Sequence, residues 1–262
     1  MTVDQAGTPA TNSQAMRIEK DLVGECEVPA EAYYGVHTLR SVENFPITGQ
    51  KIGSYPELVR ALAAVKAAAA RANLAFGKVN EEQARAIVAA CEDIRAGRFD
   101  DQFVVDVIQG GAGTSTNMNA NEVVANRALE ILGHARGDYQ HLHPLEHVNV
   151  SQSTNDVYPT AARIALYVKT DRLLAALDGA AAAFEAKAEE FADVAKLGRT
   201  QMQDAVPMTV GQEFGAFASW IRDDAARIRS VREELLTVNI GGTAIGTGLN
   251  TPAGLTISLL LM

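Results

Sequence analysis

Three short segments gather small polar side chains where they could hold an anion. In the stretch Ser-Gln-Ser-Thr-Asn-Asp-Val-Tyr-Pro-Thr at 151–160, Ser153, Thr154 and Asn155 stand directly before a long apolar helix pattern. Hydroxyls and a carboxamide at a helix start donate hydrogen bonds to an anion without adding formal charge. One helix cap needs only one such side chain, and here there are three in a row. The run Gly110-Gly111-Ala112-Gly113-Thr114-Ser115-Thr116-Asn117-Met118-Asn119 opens onto a second helix pattern, with backbone N–H groups and hydroxyls side by side. The third segment, Gly198-Arg199-Thr200-Gln201-Met202-Gln203-Asp204-Ala205-Val206-Pro207, is richer in polar groups than a plain helix connection requires. Each segment alone could be an ordinary cap or a solvated turn. Together they point to a carboxylate substrate.

Other chemistries fit less well. The glycine run lacks the Gly-Lys-Ser/Thr ending of a phosphate-binding P-loop, and it lacks the third glycine and the preceding strand of a dinucleotide fingerprint. The group His141, His143, Glu146 and His147 has metal-ligating types, but Pro144 interrupts the helical spacing a metal pair would use and no cysteine stands nearby. No metal site is expected there. Cys26 and Cys91 have no histidine partner in sequence, and Cys91 lies on an apolar face, so neither is expected to be a nucleophile or half of a disulfide.

A net charge of −9 argues against nucleic acid as a partner, since no basic excess exists to displace counterions. It leaves small anions open, because a site needs only local positive potential. With 47% hydrophobic residues over 262 positions, the chain can bury a sizeable core. Residues 1–16 are polar and small, read as a disordered tail, and lack the pattern of a signal peptide. The apolar end Ile257–Met262 is too short to span a bilayer. The expectation is a cytoplasmic protein with no membrane partner.

The elements that must position the polar segments are mostly helical. Ser54 with Glu57 suggests a capping box, Pro56 suits a first turn, and the helix runs to Phe76 with Gly77 as its stop. A second helix starts at Asn80, pairs it with Gln83, and shows Ala84, Ile87, Val88, Cys91 and Ile94 on one face. A third starts near Thr116 and ends before Gly133. Residues 17–50 are turn-rich, and small strands or irregular structure fit them. From Tyr158 to about Lys196 the pattern predicts one continuous helix, roughly 55 Å long. Another follows Pro207, with Val210, Phe214, Phe217, Ile221, Ile228, Val231 and Leu235 in near-heptad spacing. Two such helices cannot enclose a bundle core alone, so the seam requires partners.

Taken in order, four segments resemble the fumarase/aspartase superfamily: 111–123 (Gly-Ala-Gly-Thr-Ser-Thr-Asn-Met-Asn-Ala-Asn-Glu-Val), 151–156, 198–205 and 241–250 (Gly-Gly-Thr-Ala-Ile-Gly-Thr-Gly-Leu-Asn). Within it the ammonia-lyase branch is favoured over the fumarases by Tyr34-Gly35-Val36-His37-Thr38, by Thr154 where fumarases usually show a second serine, and by Gln201 where they carry histidine. Leu145 and Glu146 replace the Asn-Asp of the fumarases' second anion site. The resemblance implies a mainly α fold: a small mixed N-terminal domain over 17–150, then long antiparallel helices of an incomplete central bundle over 151–262. It implies elimination of ammonia from L-aspartate to give fumarate, with class II fumarate hydration and a non-catalytic helical subunit as alternatives. Thr114, Ser153, Thr154, Asn155, Thr200 and Gln201 become the expected substrate-binding residues, and Arg199 either adds positive potential or forms a structural ion pair. No organic cofactor is implied. Activation by a divalent metal such as Mg is not readable from these residues. The resemblance further implies a homotetramer with sites shared between subunits. The family's general-base serine sits on a Gly-Ser-Ser loop that this sequence does not contain, and Leu255–Met262 departs from the family pattern. The chain is therefore expected to be a shortened form, inactive alone.

Overall fold

The structure is a computed structural model that describes residues 15–254. The expected tail over 1–16, apart from its last two residues, and the apolar end at 257–262 lie outside the described residues. The chain divides into two compact units. One is built from the chain up to Tyr158 and again from Ile240 onward, the other from Pro159–Asn239.

The first unit opens with an antiparallel hairpin, β1 (Met16–Lys20) and β2 (Glu25–Pro29), in which Met16 pairs with Pro29 and Lys20 with Glu25. The turn-rich reading of 17–50 allowed these strands but not the helix that follows, α1 (Val36–Asn44). Its start is capped from far away in sequence. The buried Glu122 carboxylate accepts from the backbone N–H groups of Gly35, His37 and Thr38 at 2.8, 2.8 and 3.1 Å, and Glu19 accepts from Val36 N at 2.9 Å. Negative charge at a helix N-terminus satisfies its unpaired N–H groups and meets the positive end of its dipole. A side chain at Gly35 would place its Cβ 2.5 Å from Glu19 Oε2, which is why glycine stands there.

Three helices form the core of this unit: α2 (Pro56–Ala75), α3 (Glu81–Arg95) and α4 (Thr114–Ile131). Their facing side chains include Val59, Leu62, Ile87, Cys91, Ile94, Val123 and Leu129, all fully buried. The Asn80–Gln83 capping box forms in both directions. The box expected at Ser54 and Glu57 does not. Ser54 closes a short 3-10 turn, Ile52–Ser54, and α2 starts after Tyr55 with Pro56 at its first position. Because the turn ends in 3-10 geometry, Ser54 lies outside the helix it was expected to cap. The third helix begins at Thr114, two residues earlier than its apolar spacing suggested.

The long helix α5 (Thr154–Glu190) starts at Thr154 rather than Tyr158, which puts Pro159 inside it. It also stops earlier than Lys196. From Ala195 the chain instead forms a hairpin, β3 (Ala195–Thr200) with β4 (Gln203–Thr209), where the expectation was a plain polar connection. Pairing Ala195 with Thr209 and Thr200 with Gln203 gives these backbone groups cross-strand partners that outweigh the helix preference of Ala195 and Lys196.

Helix α6 (Val210–Arg232) follows, opened by a capping box between Thr209 and Gln212. Within the second unit α5 and α6 run antiparallel and meet through small residues. Gly211, Ala218 and Ala225 are the buried positions of α6, seven apart, and a Cβ at Gly211 would sit 2.5 Å from Ala188 O. Ion pairs track the same register: Arg222 with Glu185 at 2.5 Å and Arg229 with Asp178 at 2.6 Å. These are exposed, so each adds little stability. The bulky residues of the expected seam sit beside this small-residue line. Phe214 packs with Phe184 and Phe191, while Phe217 and Trp220 remain substantially exposed.

Candidate anion site and its relatives

The start of α5 is organised by Asp156, a fully buried carboxylate. Its Oδ1 accepts from Ser153 N at 2.9 Å, while Ser153 Oγ accepts from Asn155 N at 3.2 Å. Ser153 thus caps the helix start through its hydroxyl, and Asp156 reaches back to the Ser153 backbone N–H. Asp156 Oδ2 also accepts from Gly241 N at 3.1 Å and Thr243 N at 2.9 Å, which holds the glycine-rich 241–250 segment against the helix start. Asn155 lies on the exposed side and donates from Nδ2 to Ala244 O at 2.8 Å.

Helix α4 meets this point from the other side. Its N-cap is Gly113, at φ +88°, and a Cβ there would fall 2.3 Å from the Tyr158 ring. Thr114, the first helical residue, is exposed beside it. The helix start is capped by the Gln109 carboxamide, which accepts from Thr116 N at 2.8 Å, rather than by a hydroxyl. One turn on, the buried Asn117 donates from Nδ2 to Thr154 Oγ1 at 3.0 Å and to Asn149 Oδ1 at 3.2 Å. Thr154 therefore receives a hydrogen bond, and its own O–H remains able to donate outward.

Behind these amides lies a group that sequence reasoning missed. Lys66 of α2, fully buried, donates from Nζ to Asn149 Oδ1 at 2.7 Å and to Gln152 Oε1 at 3.1 Å. Burial pulls its ammonium down to about 7, and the charge of Asp156 opposes that shift. Two turns along α2, Asn73 donates to Val150 O at 3.0 Å. The 149–152 loop is thus fixed by two polar residues of one helix, seven positions apart. The available signal was a lone lysine within an alanine-rich run, flanked by Val65 and Ala67. Around the same loop the buried atoms Asn117 Oδ1, Ser151 Oγ and Thr243 Oγ1 have no hydrogen-bond partner among the described residues. Buried polar atoms left open are costly, and they are the kind of group a bound polar ligand or water would satisfy.

Thr114, Ser153, Thr154 and Asn155 therefore belong to the first unit, around the junction of α4 and α5. Thr200 and Gln201 stand exposed at the tip of the β3–β4 hairpin in the second unit. Arg199 pairs across that hairpin with Asp204 at 3.5 Å, both well exposed, which is the ion-pair role rather than a buried source of potential. The other candidates are spent on structure. His143 Nδ1 accepts from Leu145 N and Glu146 N, and His147 Nδ1 accepts from His143 N, around a single π-helical turn at Pro144–Val148. Burial lowers the pKa of both rings, which favours the neutral form. Cys26 and Cys91 are free, and burial pushes the Cys91 thiol up to about 12, far from a nucleophile's range. A cleft of about 450 Å³ lined by Arg71, Leu74, Ala84, Arg85 and Val88 touches none of the candidate residues. No described helix is long and apolar enough to cross a membrane.

A mainly helical fold with neutral donors at the starts of α4 and α5 can be compared with known proteins. A family model described as "Lyase" matches residues 24–259, and the chain belongs to that family, within the fumarase/aspartase superfamily. Its relatives include the aspartate ammonia-lyases of Pseudomonas canavaninivorans (58% identical over 92% of this chain and 51% of that protein), Pseudomonas aeruginosa (59%, over 91% and 50%) and Escherichia coli (55%, over 92% and 50%). Among solved structures, a fumarate lyase:delta crystallin from Brucella melitensis bound to cobalt aligns with a TM-score of 0.90 at 55% identity, covering 94% of this chain and 54% of that one. A class II fumarase from Schistosoma mansoni aligns with a TM-score of 0.86 at 38% identity, covering 94% and 51%. The chain spans about half the length of the curated relatives it matches.

Proposed function

We propose that this chain carries the substrate-binding share of an aspartate ammonia-lyase, which converts L-aspartate to fumarate and ammonia. The supporting observation is the level of identity: 55–59% with relatives named for that activity, against 38% with the class II fumarase.

The hard step is removal of a weakly acidic proton from the carbon beside the β-carboxylate. The electron pair left behind moves into that carboxylate as an aci-carboxylate dianion. Collapse of that species forms the carbon–carbon double bond and expels ammonia from the α-carbon. Donors that meet the developing charge stabilise it more than they stabilise the substrate. In this reading the Thr154 hydroxyl, oriented by Asn117, acts with Thr114, Ser153 and Asn155, and Thr200 and Gln201 contribute from the hairpin. Lys66 holds Asn149 and Gln152 behind them without touching substrate. Subunits of a cytoplasmic homotetramer bring the segments together, covering the bulky residues left exposed on α6. The base is supplied by a Gly-Ser-Ser loop that this sequence does not hold.

The test is fumarate formation from L-aspartate, followed by ultraviolet absorbance. The chain alone is expected to give none, and the same sequence continued through the missing loop is expected to give fumarate and ammonia in equal amounts. Hydration of fumarate to malate without amine chemistry would overturn the reading in favour of a fumarase. Failure of both reactions in the continued protein would leave a non-catalytic helical subunit.

A further inference from the structure

We propose that His134, Asp138 and His141, at the end of α4, form a binding site for a transition-metal dication of the zinc type. One ligand atom from each residue lies within 4.8 Å of the other two. Ligands at about 2.1 Å around one ion stand roughly 3.4 Å apart in a tetrahedral arrangement, so closure asks for shifts of about an ångström.

The frame that carries these residues is already fixed. Gly133, at φ +83°, ends α4, and His134 N donates back to Leu129 O at 2.9 Å. Asp138 N donates to Ala135 O and His141 N to Asp138 O, both at 3.2 Å, so two consecutive turns set the spacing. Gly137 N is anchored to the buried Asn126 Oδ1 at 2.7 Å, and Gln83 of the α3 capping box donates to His141 O at 3.2 Å. The backbone behind all three ligands is therefore tied to α3 and α4. The side chains are not. The His134 and His141 rings lie face to face, with centroids 3.8 Å apart and planes 8° from parallel, and His141 Nε2 stands 3.6 Å from Asp138 Oδ2. Parallel rings cannot both aim a lone pair at one ion, so binding turns the exposed His141 ring out of the stack. Nearby Arg136 is engaged by Glu130, Glu31 and the Tyr33 ring, which draws that arginine away from Asp138.

The donor set selects the metal. Two imidazoles and one carboxylate suit Zn²⁺, Ni²⁺ or Co²⁺, whereas Mg²⁺ prefers an all-oxygen shell. Three protein ligands leave a coordination position for water. The two rings and the carboxylate carry one negative charge when the rings are neutral, so a dication leaves a net charge of +1 at the site. Bound metal would clasp the end of α4 to the 138–141 turn and stabilise the first unit by linkage.

The site can be tested on the full 262-residue chain, freed of any affinity tag, by titration calorimetry with ZnCl₂ and by the visible spectrum of added Co²⁺. The expected result is one ion per chain, a raised Tm, and no heat from MgCl₂. His141→Phe keeps an aromatic ring in the stack but removes the ligand, and Asp138→Asn weakens the third. Each is expected to cost roughly tenfold or more in affinity, with the metal-free Tm near that of the parent chain. A parent chain that binds no zinc would overturn the site. So would affinity unchanged in both variants, which would place any bound zinc elsewhere, for instance at Cys26 or His147.

Discussion

Lys66 gives the sharpest test of how the candidate anion site is built. Its ammonium is fully buried and, among the described residues, held by two amide oxygens, Asn149 Oδ1 and Gln152 Oε1, with the charge of Asp156 farther off. Its folded-state pKa, about 7, lies below the 10.5 of an exposed lysine. Between those values the unfolded chain binds the proton more tightly, so stability rises with pH across that window and levels off above it. At about 1.4 kcal/mol per pKa unit, a shift of this size amounts to roughly 5 kcal/mol in full, of which about 2 kcal/mol is gained between pH 7 and pH 9. Lys66→Met fills much of the same space and abolishes the titration. Urea unfolding of parent and variant at pH 7, 8 and 9 should show the difference in unfolding free energy shifting by about 2 kcal/mol in favour of the parent as pH rises. Other titrating groups cancel in that difference. A difference that stays flat from pH 7 to pH 9 would refute the claim that a desolvated ammonium sits behind the donors. A flat but large difference would mean that Lys66 packs there and holds its amide partners without a depressed pKa.

Two further predictions concern the elements around the site. Gly113→Ala and Gly133→Ala both place a side chain at positive φ, but only Gly113 faces an obstruction, the Tyr158 ring. Gly133→Ala should cost about 1 kcal/mol and Gly113→Ala clearly more in urea unfolding; equal costs would show that α4 and the start of α5 are not packed as described. Glu122→Gln should lower the pKa of His37, whose imidazolium is stabilised chiefly by its hydrogen bond to that carboxylate. Because the folded-state pKa of His37 is raised, its contribution is full below about 6.5 and is lost as pH rises through the folded value. Proton NMR of the His37 ring should register the change, and an unmoved titration would remove Glu122 as the cause.

The sequence is legible where the physics is local. The Asn80–Gln83 box spans three residues, and the helix it opens has its apolar face where the spacing put it. The start of α1 could not be read this way, because its cap comes from Glu122, more than eighty positions later, and no local pattern announces it. The β3–β4 hairpin was missed for a related reason: the stretch after Glu190 looks helical until its pairing with 203–209 is known. At the site, the hydroxyls of Ser153 and Thr154 were visible as types, but their roles depend on Asp156 and Asn117. Ser153 accepts from Asn155 N as a cap, which leaves its O–H able to donate, while Thr154 is oriented by a residue of another helix. Lys66 was hidden because a lysine in an alanine-rich helix ordinarily reaches water, and only the packed loop at 149–152 explains why this one does not.

The tip of the β3–β4 hairpin is a two-residue reversal in which Gln201 and Met202 take φ of 50° and 61°. That handedness suits asparagine and glycine, and side chains such as these two tolerate it at a cost of order 1 kcal/mol each. A chain selected for an economical corner would carry Asn-Gly there. This one retains an amide and a thioether on an outward-facing knuckle, with Met202 fully exposed to solvent. Swapping in Asn-Gly would make the corner sturdier and strip it of both side chains, which separates what the reversal needs for folding from what it presents to its surroundings.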